Sequence, residues 1–130
     1  MNRIYLALFV LLLAVGCTKK LGTTRVPEQF DEFYERFHED LAFQKSRVKF
    51  PLEGEYVGPE GAKDWKPESW EMHRQKVTDI TDPNYDTEII RRDQEVIDKV
   101  QLRDAGLSIE RKFQRLDGKW YLVYYKTVDL

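Results

Sequence analysis

The sequence holds a single cysteine, Cys17, so no disulfide can form within the chain. Its two histidines, His38 and His73, stand in no spaced His/Cys/Asp set, so the three or four converging ligands of a metal centre are not prefigured. A glycine-rich phosphate loop is missing, and Ser46, Ser69 and Ser108 lack the elbow glycines of a nucleophilic serine. No cofactor is expected. Charge of one sign is also lacking, with 21 Lys+Arg against 23 Asp+Glu. That balance provides no basic field for nucleic acid. The apolar opening run, Ile4 to Val15, would make only ~18 Å of helix, short of the ~30 Å hydrocarbon core. Internal repeats and low-complexity runs are absent.

That opening run follows Met1-Asn2-Arg3 and reads as a signal peptide over residues 1–16. Ala14-Val15-Gly16-Cys17 resembles the lipobox of bacterial lipoproteins, with Ala14 where a leucine is usual. The resemblance implies a mature chain beginning at a lipidated Cys17, whose acyl chains, at ~0.8 kcal/mol per buried CH2, make a lasting membrane anchor. Loss of Arg3 then moves the net charge from −2 to −3. Residues 17–26, with Gly22 and three threonines, read as a solvated tether, and residues 27–130 as one domain. The expected location is the bacterial cell envelope, on a periplasm-facing outer-membrane leaflet, because no acidic export signal follows Cys17.

Within the domain, Phe30, Phe33, Tyr34, Phe37 and Leu41 repeat at helical spacing, with Asp31, Glu32, Glu35, Arg36 and Glu39 on the wet side. Phe50-Pro51-Leu52 ends any helix before it. Gly54, Gly58, Pro59 and Gly61 mark a loop pinned by the indoles of Trp65 and Trp70. Alternation from Trp70 predicts a strand to about Ile80, then a turn at Asp82-Pro83-Asn84. In Tyr85 to Arg103, Ile89, Ile90, Val96, Ile97 and Val100 fit helical spacing, while Val96, Val100 and Leu102 fit period two with Asp98 as the exception; the β-branched content favours strands.

Asp117-Gly118 between Leu107–Leu116 and Lys119–Val128 is the signal for a two-residue hairpin. An unbroken register would set Phe113 opposite Leu122, Lys112 opposite Val123, Arg111 opposite Tyr124 and Leu107 opposite Val128. Trp120 to Tyr125 is apolar on both faces, which predicts a central strand covered on each side. The fold class expected is α+β: an N-terminal amphipathic helix packed on a curved antiparallel sheet.

One helix followed by loop-broken strands and a Gly-Lys-Trp hairpin resembles the nuclear transport factor two-like (cystatin-like) cone. The string Phe43-Gln44-x-Ser46-Arg47-x-x-Phe50-Pro51-Leu52, with Phe30, Phe33, Phe37 and Asp40 before it, is similar to an envelope lipoprotein family, domain of unknown function 4348. The resemblance implies a lipoprotein domain with no established activity, in a superfamily of isomerases, dehydratases and binding modules, so fold alone does not choose the function.

The candidate pocket residues are Tyr34, Phe37, His38, Arg47, Trp70 and Tyr124. His38 could serve as a base in a cone; its plainer reading is a half-exposed histidine at a helix border. Arg47, in an apolar string, requires a partner: a ligand carboxylate or phosphate, or Asp40, Glu53 or helix carbonyls within the chain. Trp65, Trp70, Tyr85 and Tyr124 could line a pocket or simply anchor loops. These residues suggest first a module binding a small amphipathic ligand or an envelope protein. An isomerase- or dehydratase-type enzyme using His38 or a carboxylate is the second reading, and a structural subunit of an envelope complex the third.

Overall fold

The structure, a computed structural model, describes residues 26–130. The signal peptide, Cys17 and all of the tether except Val26 lie outside the described residues. Helix α1 spans Phe30–Glu39 and α2 Leu41–Ser46. The strands are β1 (Val48–Glu53), β2 (Tyr56–Gly58), β3 (Gly61–Lys63), β4 (Tyr85–Arg91), β5 (Glu95–Leu102), β6 (Leu107–Leu116) and β7 (Lys119–Asp129). They form one sheet in the order β3-β2-β7-β6-β5-β4, and β1 runs parallel along β7 beside β2. Among the described residues no helix is long and apolar enough to cross a membrane.

The helical stripe ends earlier than its spacing suggests. Asp40 is extended, at φ −118° and ψ 107°, and its carboxylate accepts the amide of Phe43 at 3.0 Å. An aspartate caps a new helix better than it continues an old one, so the chain turns there, and Leu41 is left 41% exposed. Phe30, Phe33, Tyr34 and Phe37 are buried against Val96, Phe113, Trp120 and Leu122 of the sheet. Phe37, Phe113 and Leu122 are completely buried. Glu28 secures the junction. Its side chain accepts the Trp120 amide at 2.8 Å and an Arg47 N–H at 2.7 Å, and its carbonyl accepts the Trp120 indole at 2.9 Å.

The hairpin turn forms at Asp117-Gly118, both residues in the left-handed region. Its register follows expectation as far as Phe113↔Leu122. The ladder then resumes at Lys112↔Tyr124, Arg111↔Tyr125 and Leu107↔Asp129, leaving Val123 as a bulge. One extra residue in a strand reverses the facing of everything beyond it. Tyr125 therefore joins Trp120 and Leu122 on the helix side. Tyr124 turns to the outer face, where Lys112 Nζ stands 4.6 Å from its ring centroid. The outer side of β7 is covered by lysine stems, with Lys49 Nζ 5.1 Å from the Tyr121 ring.

The predicted strand from Trp70 to Ile80 does not form. Residues 64–84 instead make a strap with two single 3₁₀ turns, Pro67–Ser69 and Val77–Asp79. Since the strap takes no place in the sheet, side chains hold it down. Trp65 donates to the Tyr125 carbonyl at 2.6 Å, where β7 changes its edge partner from β1 to β2. Gly54 sits at that crossover with φ +92°, and a Cβ there would come within 2.1 Å of the same carbonyl.

Candidate functional site

Strand length against helix length decides where space remains. The ten residues of α1 rise ~15 Å, whereas the ten of β6 extend ~33 Å. The helix therefore covers one half of the inner sheet face, and the strap roofs the other. Between strap and sheet lies a cleft of about 510 Å³, within the range of small-molecule sites. Its apolar walls are Val77 and Ile80 of the strap and Val100, Leu107 and Ile109 of β5 and β6. Tyr85 stands at one end, and His73, Arg111 and Tyr125 at the other.

The polar end of the cleft belongs to a buried network. Asp98, Arg111 and Tyr125 are cross-strand neighbours on β5, β6 and β7. The guanidinium grips the Asp98 carboxylate twice, through Nε at 2.9 Å and an Nη at 2.5 Å. The same Nη lies 3.3 Å from the Tyr34 hydroxyl, and the other meets His38 Nε2 at 3.0 Å and His73 Nδ1 at 3.2 Å. All five N–H groups of the fork are thus engaged. Tyr34 donates its hydroxyl proton to Asp98 at 2.7 Å and accepts the Val77 amide at 3.1 Å, joining the strap to the sheet.

These contacts fix the protonation of both histidines. His38 Nδ1 is 2.6 Å from the Tyr34 carbonyl and must donate to it, so Nε2 accepts from Arg111. His73 accepts from Arg111 at Nδ1, so its proton is on Nε2. Burial, with the Arg111 charge beside it, lowers His38 to about 4. Burial, Arg111 and His38 lower His73 to about 2. Burial and the Asp98 carboxylate hold the Tyr34 phenol well above its usual range, and burial raises Tyr125. Burial opposes the charge of Arg111, but Asp98 more than offsets it, and the guanidinium stays charged.

The pH dependence follows in sign. A histidine depressed in the folded state takes up its proton more readily when unfolded. Its stabilising contribution is whole above about 6.5 and is lost as pH falls toward its folded value. From pH 7 to 5, His38 alone should cost about 2 kcal/mol of unfolding free energy, and His73 acts in the same direction. Urea denaturation at the two pH values measures the loss, and His38→Gln should flatten the profile.

The six candidate residues separate in space. Tyr34 and His38 enter the network, and His38 is only 4% exposed instead of standing half-exposed at a border. Trp70 anchors the strap by donating to Gln44 Oε1 at 3.0 Å. Phe37 fills the core beneath the helix. Arg47 is paired with Glu28 and the Trp120 carbonyl, not with Asp40 or Glu53. Tyr124 is on the far face of the sheet. None of the six lines the cleft, whereas Tyr85 does. Sequence reasoning missed Arg111, Asp98, Gln44 and His73 as one assembly. The available signal was two opposite charges, Asp98 and Arg111, each at an inward position of neighbouring strands.

A short helix on a curved, open, mixed sheet, with the interior filled by aromatic side chains, is an α+β fold of the kind seen in NTF2-like proteins. A protein-family model matches residues 28–129, and the chain belongs to that family. An NTF2-like protein from Bacteroides fragilis superposes with a TM-score of 0.55 at 19% identity, over 80% of this chain and 48% of that one. The chain thus spans about half the length of that relative. An NTF2-like protein from Cytophaga hutchinsonii matches at 12% identity and TM-score 0.43, over 78% and 92% of the two chains. A cystatin-like protein of unknown function from Nostoc punctiforme matches at 20% identity and TM-score 0.38, over 77% and 88%. No curated protein matches the chain.

Proposed function

We propose that this domain is a binding module that holds a small amphipathic molecule in the cleft between strap and sheet, carried on a lipid-anchored envelope protein. The observation supporting it is the pairing of an apolar cleft with a polar end whose charges are already balanced within the chain. A cleft of that kind retains hydrocarbon by burial, at about 25 cal/mol per Å² removed from water. The enzyme reading finds less support. His38 donates one nitrogen to Tyr34 and accepts from Arg111 with the other, so no lone pair is free to take a substrate proton. Arg47 is likewise closed to an anion by Glu28.

The anchor is part of the same proposal. The lipobox-like Ala14-Val15-Gly16-Cys17 and the Phe43 to Leu52 string support membership of the envelope lipoprotein family described above, with Cys17 acylated and the domain facing the periplasm. The experiment is native mass spectrometry of protein extracted from its own envelope. The expected spectrum shows a diacylglyceryl mass on Cys17 and a retained small molecule that is absent from an Ile109→Trp variant. A spectrum of bare protein would overturn the ligand reading, and a stoichiometric protein partner would establish the structural-subunit reading. Cys17→Ala should move the protein into the aqueous fraction, and persistence with detergent would refute lipidation.

A further inference from the structure

Resting on that reading, we propose that the occupant of the cleft is electrically neutral and carries a hydrogen-bond acceptor of the carbonyl type, as in an ester, ketone or amide, which accepts the Nε2–H of His73. Its hydrocarbon part then lies along Val77, Ile80, Val100, Leu107 and Ile109.

The donor is fixed by elimination. His73 Nδ1 is turned to Arg111, which leaves the proton on Nε2, and Nε2 has no partner among the described residues. It is not sealed in, either. Among the described residues the buried side-chain polar atom without a partner is Thr127 Oγ1, so His73, a wall of the cleft, opens Nε2 to it. The ring cannot turn over to offer an acceptor without abandoning Arg111, and it is held between a tilted Trp70 and an edge-on Tyr125, with centroids 4.6 and 4.5 Å away. The Gln44 amide clamps the backbone on both sides, accepting the His73 N–H at 2.9 Å and donating to its carbonyl at 2.7 Å. The chain therefore presents a preorganised neutral N–H, which favours an acceptor in the ligand.

Charge decides between acceptors. A carboxylate entering the cleft loses hydration and needs a cation in return. Arg111 does not supply one, since all five of its donors are engaged and Asp98 balances its charge. His73 does not supply one either, because burial keeps it neutral far below physiological pH. At the rim Lys76 is paired with Glu35 and Asp79, and the lining there holds two acids, Asp79 and Asp82, against one cation, Arg74. An ammonium is disfavoured at the inner end, where the His73 N–H is a donor and the Arg111 cation lies directly behind it. A neutral acceptor meets none of these penalties.

Head-group series of one chain length test this at neutral pH by displacement of Nile red from the unmodified domain: methyl octanoate, octanoate, octylammonium and octane. Methyl octanoate should bind about tenfold more tightly than octanoate or octylammonium, and about fivefold more tightly than octane, the factor for one neutral hydrogen bond. His73→Phe keeps a ring and removes the donor; in that variant methyl octanoate should bind no more tightly than octane. Octanoate or octylammonium equal to or tighter than the ester would overturn the neutral class. Equal binding of ester and octane by the unmodified protein would overturn the His73 contact even where His73→Phe fails to fold. In those cases Nile red still binds, and the cleft remains a ligand site. Failure of Nile red itself to bind would overturn the binding reading and this inference with it.

Discussion

Asp98→Ala is expected to destabilise the domain by about 3–5 kcal/mol, because it strands a buried guanidinium. Arg111 and Asp98 are 5% and 1% exposed, and the carboxylate is held by the two arms of the fork and by the Tyr34 hydroxyl. Removing it leaves a cation in contact with two neutral histidines and one phenol, none of which supplies a counter-charge. Such a loss approaches the whole stability of a small domain, ~5–15 kcal/mol. The measurement is the urea midpoint of Asp98→Ala beside the double change Asp98→Leu with Arg111→Met. Replacing both partners by apolar groups removes the stranded charge, so the double variant should recover most of the loss. A near-neutral Asp98→Ala would mean that water from the cleft hydrates Arg111, and that the network is not closed.

Gln44→Leu carries the second large effect, about 3 kcal/mol or more. Gln44 is 0% exposed and makes four hydrogen bonds: from Nε2 to the Phe37 and His73 carbonyls, each at 2.7 Å, and into Oε1 from the Trp70 indole and the His73 amide. Leucine fills a similar volume but satisfies none of them, and each buried partner left unpaired costs ~1–3 kcal/mol. The loss should be local before it is global. The strap has no ladder of its own, so residues 66–80 should become sensitive to protease and their amides should lose exchange protection. The α1–sheet core should stay protected. A variant as protease-resistant as the original would show that Trp65 and Tyr34 hold the strap without Gln44.

Much of the architecture was legible in the sequence where one physical rule acted alone. The spacing of Phe30, Phe33, Tyr34 and Phe37 set a buried helical face. Asp117-Gly118 set a hairpin. The misses occurred where two rules competed. Leu41 fits the helical stripe, yet Asp40 caps a new helix and turns it away. Trp70 to Ile80 alternates like a strand, but its indole and backbone are taken by Gln44, and no neighbouring strand offers it a ladder.

The candidate site was less legible, because its position depends on a single extra residue. The alternation of β7 is the same with or without a bulge, and nothing in Trp120 to Val128 announces that Val123 will leave the ladder. With the bulge, Tyr125 faces Arg111 and lines the cleft, while Tyr124 goes to the outer face.

The sequence by itself determined the core: a phenylalanine-rich helix has one apolar face, and a strand with period two has one inner side, so their meeting is dictated locally. It also contained the two charges that would have to be buried, Asp98 and Arg111, at inward positions of strands that pair. Only the tertiary structure decided that each is the other's partner, that His38 and His73 take up the remaining donors, and that the cleft opens under the strap. Those outcomes depend on contacts between residues 13 to 73 positions apart, and on a ten-residue helix too short to cover the sheet it packs on.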